Sequence, residues 1–166
     1  MSSLQGVLGK AGELLCGTEL LRPVLYKRNI CFLFDPVLIG GNEPTYDYIV
    51  YLLGPDQQRC GAFFFLQVKT TMSSPDARGG YSIAFSATDV RRAHALSQPF
   101  FVALVDKRVT RSERIYIKGV NYPRATGISV ISSSYDLAKD NVKIRLAREV
   151  QRLWCLASTP KLGDLL

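Results

Sequence analysis

The stretch Cys60-Gly61-Ala62-Phe63-Phe64-Phe65-Leu66-Gln67-Val68-Lys69-Thr70-Thr71 decides the fold. Ala62 to Leu66 is entirely apolar. A strand apolar on both faces belongs at the centre of its sheet, covered from both sides. Strand side chains alternate, so Gln67 and Lys69 fall on one face and Val68 on the other. A central strand thus ends with an amide and an amine side by side.

Immediately upstream, Gly54-Pro55-Asp56-Gln57-Gln58 reads as a turn and Tyr46 to Leu53 as a strand. The two strands form an antiparallel hairpin. Asp47 sits among Tyr46, Tyr48, Ile49, Val50 and Tyr51. A carboxylate in such a strand must find a partner or shift its pKa. Asp47 and Lys69 each lie roughly a strand's length from the turn, Lys69 the farther, so the hairpin brings Asp47, Gln67 and Lys69 to one end of the sheet. Two readings follow. A carboxylate and an amide oxygen are hard ligands suited to Mg²⁺ or Mn²⁺, and a neighbouring lysine can orient water and stabilise charge on a phosphate. The plain alternative is a buried Asp47–Lys69 ion pair with Gln67 as a satisfied polar residue.

Further upstream, Asn29 to Phe34 reads as a strand and Asp35 to Pro44 as a loop. Residues 4 to about 25 carry helical periodicity, with Leu4, Val7, Leu8, Ala11, Leu14, Leu15, Thr18, Leu21 and Leu25 as the apolar stripe and Pro23 near the end. Gly6, Gly9, Glu13 and Gly17 fall opposite. Each glycine costs about 1 kcal/mol relative to alanine inside a helix. Glu13 therefore sits on a bare face, open to a backbone, a metal with its water or a substrate, or simply to solvent.

Downstream of Thr71 comes a polar loop, Met72 to Gly80, and then a strand, Tyr81 to Phe85. Ser86 or Thr88 caps a helix running to about Ser97. Phe100 to Val105 and Arg114 to Lys118 are strands, and Ile128 to Ile131 is a short strand in a long loop. Asp136 to about Ala157 is a helix with Val142, Leu146, Val150, Leu153, Trp154 and Ala157 inward and Arg145, Arg148 and Arg152 outward. The expected fold is α/β, a mixed central sheet flanked by helices on both faces. It occupies residues 1–157 as one domain, with a loose tail over 158–166.

Lys and Arg number 21 against 14 Asp and Glu, for a net charge of +7 that favours anionic partners, nucleic acid first among them. The four cysteines, at 16, 31, 60 and 155, form no Cys-x-x-Cys pair, and His94 is the only histidine, which argues against zinc. It also rules out a Ser-His-Asp hydrolase unless His94 serves; the residue reads as a surface or packing histidine. Buried thiols in a reducing compartment are expected. No signal peptide and no membrane-length apolar run are present, which predicts a cytoplasmic protein.

The runs Gly12-Glu13-Leu14-Leu15, Tyr46-Asp47-Tyr48-Ile49-Val50 and Phe65-Leu66-Gln67-Val68-Lys69-Thr70 together resemble the PD-(D/E)xK nuclease superfamily. The nearest likeness is to a branch of bacterial anti-phage and mobile-element proteins in which Gln replaces the Glu of (D/E)xK. The resemblance covers about residues 5 to 118. It implies a restriction-endonuclease-like fold and a Mg²⁺- or Mn²⁺-dependent endonuclease acting on DNA. Asp47 would be the principal metal ligand, Gln67 the second ligand position, Lys69 the catalytic lysine and Glu13 the helix-borne acid, with the Val68 carbonyl also facing the metal. Gln67 departs from the pattern: it brings no charge, which weakens cation affinity and leaves room for a catalytically silent nucleic-acid-binding or protein-interaction module. Many relatives work beside a sensor or helicase component, so a separate protein partner is expected, and a homodimer is compatible with cutting both strands.

Arg91 and Arg92, Lys27 and Arg28, and the Ser73 to Gly80 loop with Arg78 are the expected nucleic-acid contacts. Further basic clusters stand at Lys107-Arg108 with Arg111 and Arg114, and at Arg145, Arg148 and Arg152. Such groups supply affinity rather than sequence choice, and any one of them is equally readable as an ordinary solvated face.

Overall fold

The computed structural model describes residues 4–39, 45–108, 113–120 and 125–157. In chain order the elements are α1 (Leu4–Leu20), β1 (Val24–Tyr26), β2 (Asn29–Cys31), β3 (Phe34–Leu38), β4 (Tyr48–Leu53) and β5 (Arg59–Thr71). Then follow β6 (Gly80–Phe85), α2 (Ala87–Ala95), β7 (Phe100–Asp106), β8 (Arg114–Gly119), β9 (Ile128–Ser132) and α3 (Asp140–Ala157). The tail expected over 158–166 lies outside the described residues.

The apolar run that opened the reading becomes β5, and it is central. The main sheet has the order β3-β4-β5-β7-β8. Its β3–β4, β4–β5 and β7–β8 pairs are antiparallel and its β5–β7 pair is parallel. The class is therefore α/β with a mixed five-stranded sheet. Every residue of β7 is buried, as a strand covered on both faces should be.

Alternation along β5 and β7 feeds two cores. Phe64 and Leu66 of β5 and Ala103 of β7 join Cys16 and Leu20 of α1 and Val142, Leu146 and Val150 of α3. Phe65, Val102 and Leu104 face the other way, onto Val90 and Ala93 of α2 and Ile83 and Ile131 of the β6–β9 ribbon. Each fully buried Phe or Leu contributes about 1.5–3 kcal/mol. Helix α2 starts where Ser86 and Asp89 close a reciprocal capping box.

Several expectations are corrected. Helix α1 stops at Leu20, two residues short of the expected end near Arg22, with Pro23 following and Val24 beginning β1. Its face assignment is corrected in part: of the expected stripe Leu15 packs against the core, but the most buried positions lie elsewhere. Gly12, Cys16, Gly17 and Leu20 are buried, while Leu4, Val7, Leu14 and Leu21 of the apolar stripe are 50% or more exposed. The glycines let the helix lie against the sheet, and that close approach outweighs the burial of the leucines.

The strand expected over 29–34 is split. Lys27 and Arg28, at φ 48° and 68°, make a tight turn that pairs β1 with β2. Asp35-Pro36, expected in a loop, lies inside edge strand β3, where a missing proline N–H is tolerated. Strand β6 does not join the main sheet but pairs with β9. Asp136 precedes α3 instead of opening it, buried and accepting from Arg114 and the Ala138 amide. Of the thiols expected to be buried, only Cys16 is; Cys31 is intermediate, and Cys60 and Cys155 are exposed. Among the described residues no helix is long and apolar enough to cross a membrane.

Candidate functional site

The β4–β5 register places Tyr48 opposite Leu66, so Asp47 lies beside Gln67 where β4 ends and β5 continues. The Asp47 amide donates to the Leu66 carbonyl at 2.9 Å, and its own carbonyl accepts from Ile39 at 2.9 Å. The backbone around Asp47 is thus held from both neighbouring strands. Its side chain then takes the place of the missing strand partner: Oδ2 accepts from the Val68 amide at 2.6 Å. The two main-chain groups of one strand residue point to the same neighbour, so the Val68 carbonyl is directed to the Asp47 side as well.

Burial pushes the Asp47 carboxyl up from its ordinary range; the Val68 N–H and the charge of Lys69 oppose this without cancelling it. Glu13, one helical turn before Gly17, is also raised, first by burial and then by the charge of Asp47, with Lys10 opposing. The two acids therefore share one electrostatic neighbourhood. No ion pair joins Asp47 to Lys69 within 4.0 Å among the described residues, so the plain buried salt bridge is not formed. Lys69 lies between two carboxylates. Its charge favours the ionised form of Asp47, and on the α2 side it acts on Asp89. There burial pushes Asp89 up, but the Ser86 hydroxyl and amide, with Lys69 and Arg92, hold it below the usual range.

The Gln67 side-chain oxygen is buried and has no hydrogen-bond partner among the described residues. Leaving such an acceptor unsatisfied costs about 1–3 kcal/mol, and it stands next to Asp47. The Asp47 carboxylate, the Gln67 amide oxygen and the Val68 carbonyl are oxygen donors of the kind that hard divalent cations take, while Glu13 belongs to α1, which packs on the other face of β5 from Gln67. The described residues hold no cluster of three or more His, Cys, Asp or Glu. A cation here would depend on the amide and main-chain oxygens as much as on the acids.

Three residues of this neighbourhood escaped the sequence reading. Tyr48 donates its hydroxyl to the Glu13 carbonyl at 2.8 Å and so fixes α1 over the strand end. Its own ionisation is pushed up to about 12, by burial first and then by Cys16, Glu13 and Asp47, which keeps it a donor. Thr70 packs its hydroxyl against Gly12, and that oxygen is likewise buried without a partner. Asp89 links the site to α2 as described above. The nearest sequence signal was the glycine spacing of α1, which marked a close approach without naming what approaches.

The expected binding residues are spread out. Arg91 and Arg92 are exposed in the middle of α2, Arg92 within 3.9 Å of Asp89 and so on the Lys69 side. Ser73 and Arg78 lie in the loop after β5, which Arg108 tethers through Ser74 at 3.1 Å while it holds Asp106 and Tyr81. Lys27 and Arg28 form the tip of the β1–β2 hairpin, outside the main sheet. His94 is part-buried in α2. Comparison with family models, with curated proteins and with solved structures finds no match for this chain.

Proposed function

We propose that this protein is a Mg²⁺- or Mn²⁺-dependent nuclease of the PD-(D/E)xK kind, with a restriction-endonuclease-like core, that hydrolyses phosphodiester bonds in DNA. The observation that carries the reading is the buried Gln67 oxygen, without a hydrogen-bond partner among the described residues, at the strand position opposite Asp47, whose pKa is raised. A hard cation at the strand end would satisfy the amide oxygen and the Asp47 carboxylate together. The helix-borne acid, the acid at the strand end and the amide and lysine two residues apart on the central strand are the arrangement that the sequence resemblance implies.

Asp47, Glu13, the Gln67 amide oxygen and the Val68 carbonyl would hold the ion. When bound, it supplies positive charge that stabilises the phosphate in the transition state. Lys69, which makes no ion pair within 4.0 Å among the described residues, would be available to orient the attacking water and to offset charge on the phosphate oxygens. The Val68 amide holds the Asp47 carboxylate in place and favours its ionised form. Arg91 and Arg92, exposed on α2, would meet the phosphate backbone.

The test is incubation of plasmid and single-stranded substrates with Mg²⁺, Mn²⁺ or EDTA. Cutting is expected only with metal, and Lys69→Ala and Asp47→Ala should each abolish it. Cutting that survives both EDTA and Lys69→Ala overturns the proposal. The neutral Gln67 favours one second reading, a silent nucleic-acid-binding module on the same fold. It predicts salt-sensitive DNA binding unchanged by Asp47→Ala and no divalent effect on Tm.

A further inference from the structure

A groove of about 490 Å³ lies on the α3 face of the sheet, at the far strands from Asp47. Its floor is apolar: Phe101 of β7, Ile117 of β8, and Val142 and Leu146 of α3. Its rim is basic, with Lys118, Arg145, Arg148 and Arg152 against a single acid, Glu149. That acid is already committed, since Arg152 grips it with two bonds at 2.6 and 2.9 Å. Arg148 rests against the Tyr26 hydroxyl and ring, and Lys118 donates to the Val130 carbonyl. Arg145 has neither an ion pair nor a hydrogen bond among the described residues. The groove follows α3 from residue 142 to 152, which is about 15 Å of helix and matches about five residues of extended peptide.

We infer that this groove docks an acidic peptide segment of another protein, one that alternates carboxylates with aliphatic anchors. Two independent features select that occupant. The rim is complementary to negative charge. The floor is mostly aliphatic: Phe101 is 8% exposed, and the one well-exposed ring among the lining residues is Tyr135, at 47%. A nucleic-acid strand would satisfy the rim but meet a single exposed ring, Tyr135, whereas such strands rely on successive stacking platforms. Leucine or isoleucine side chains cover the floor while neighbouring carboxylates reach the arginines. The inference does not rest on the nuclease reading, because none of the Asp47 site residues lines the groove.

The experiment measures fluorescence anisotropy of the full chain with four labelled probes. They are a short peptide with leucines on one side and glutamates on the other, its lysine-for-glutamate counterpart, a glutamate–serine peptide without apolar anchors, and short oligothymidine. The leucine–glutamate peptide should bind tightest, by about tenfold over each of the others. Arg145→Glu should weaken it by a similar factor while Tm and the methyl spectrum stay those of the parent. Asp47→Ala should leave binding unchanged. Titration should shift the methyl signals of Ile117, Val142 and Leu146. The inference is overturned if the anchor-free acidic peptide or the oligothymidine binds as well, if Arg145→Glu binds like the parent, or if those methyl signals do not move.

Discussion

Replacing Gly17 by alanine sets two opposing effects against each other inside one helix. Alanine gains about 0.8–1 kcal/mol of helix propensity over glycine. Against this, the new Cβ would stand 2.7 Å from the Tyr48 hydroxyl oxygen and 3.2 and 3.3 Å from two of its ring carbons. Tyr48 is 4% exposed, and its hydroxyl is tied to the Glu13 carbonyl, so the ring cannot swing clear. Overpacking of this kind costs about 1–3 kcal/mol, and a weakened hydrogen bond adds about 0.5–1.5 kcal/mol. The net is a loss of about 1–3 kcal/mol, or roughly 2–12 °C in Tm for a chain of this size. Gly9→Ala is the internal control. Nothing lies within 4 Å of its Cβ, so it should raise stability by about 1 kcal/mol. Thermal or urea unfolding of both variants reads the difference. If Gly17→Ala stabilises as Gly9→Ala does, α1 does not lie against Tyr48 and the placement of Glu13 fails with it.

Three further outcomes follow from the same geometry. Lys143 is 2% exposed and pairs with Glu19 at 2.9 Å while donating to the Glu19 and Arg22 carbonyls. Arg22 still pairs with Glu19 at 3.1 Å, so Lys143→Met leaves mainly the two carbonyls without their donor and should cost about 1–3 kcal/mol in urea unfolding. Ser86→Ala removes the α2 cap and should cost about 1 kcal/mol, read by the same method. Because Asp47 and Glu13 are raised from ordinary values of 3.8 and 4.5, the unfolded chain loses their protons first as pH rises. Their contribution to stability is fullest below those values and declines as pH rises through the folded pKa values. The Tm of Asp47→Asn should therefore gain on the parent as pH rises from the acid side, and added Mn²⁺ should narrow the gap at neutral pH by stabilising only the parent.

The centre of the fold was legible because β5 is written almost without ambiguity. Five successive apolar residues demand cover on two faces, and the Gly54-Pro55 turn fixes which strand lies beside them. The juxtaposition of Asp47 with Gln67 follows from that register alone. Helix α1 was misread because periodicity measures greasiness, whereas this helix is seated by the absence of side chains at Gly12 and Gly17. The β1–β2 turn was missed because Lys27 and Arg28 adopt a left-handed backbone with no glycine or asparagine to announce it. Strand β6 looked like any other half-buried strand; only the burial of β7 on both sides leaves it no place in the main sheet. Long-range partners such as Tyr48 with Glu13 and Lys143 with Glu19 carry no local signature at all.

The start of β4 only at Tyr48 makes the Val68 amide a natural reporter. Its proton is held by a titrating oxygen instead of a peptide carbonyl. Its nitrogen and proton resonances, and its rate of exchange with deuterium, must follow whatever happens to that carboxylate. Protonation, metal loading or the arrival of a phosphate can each be watched at this single nucleus, in the native protein and without any label beyond nitrogen-15.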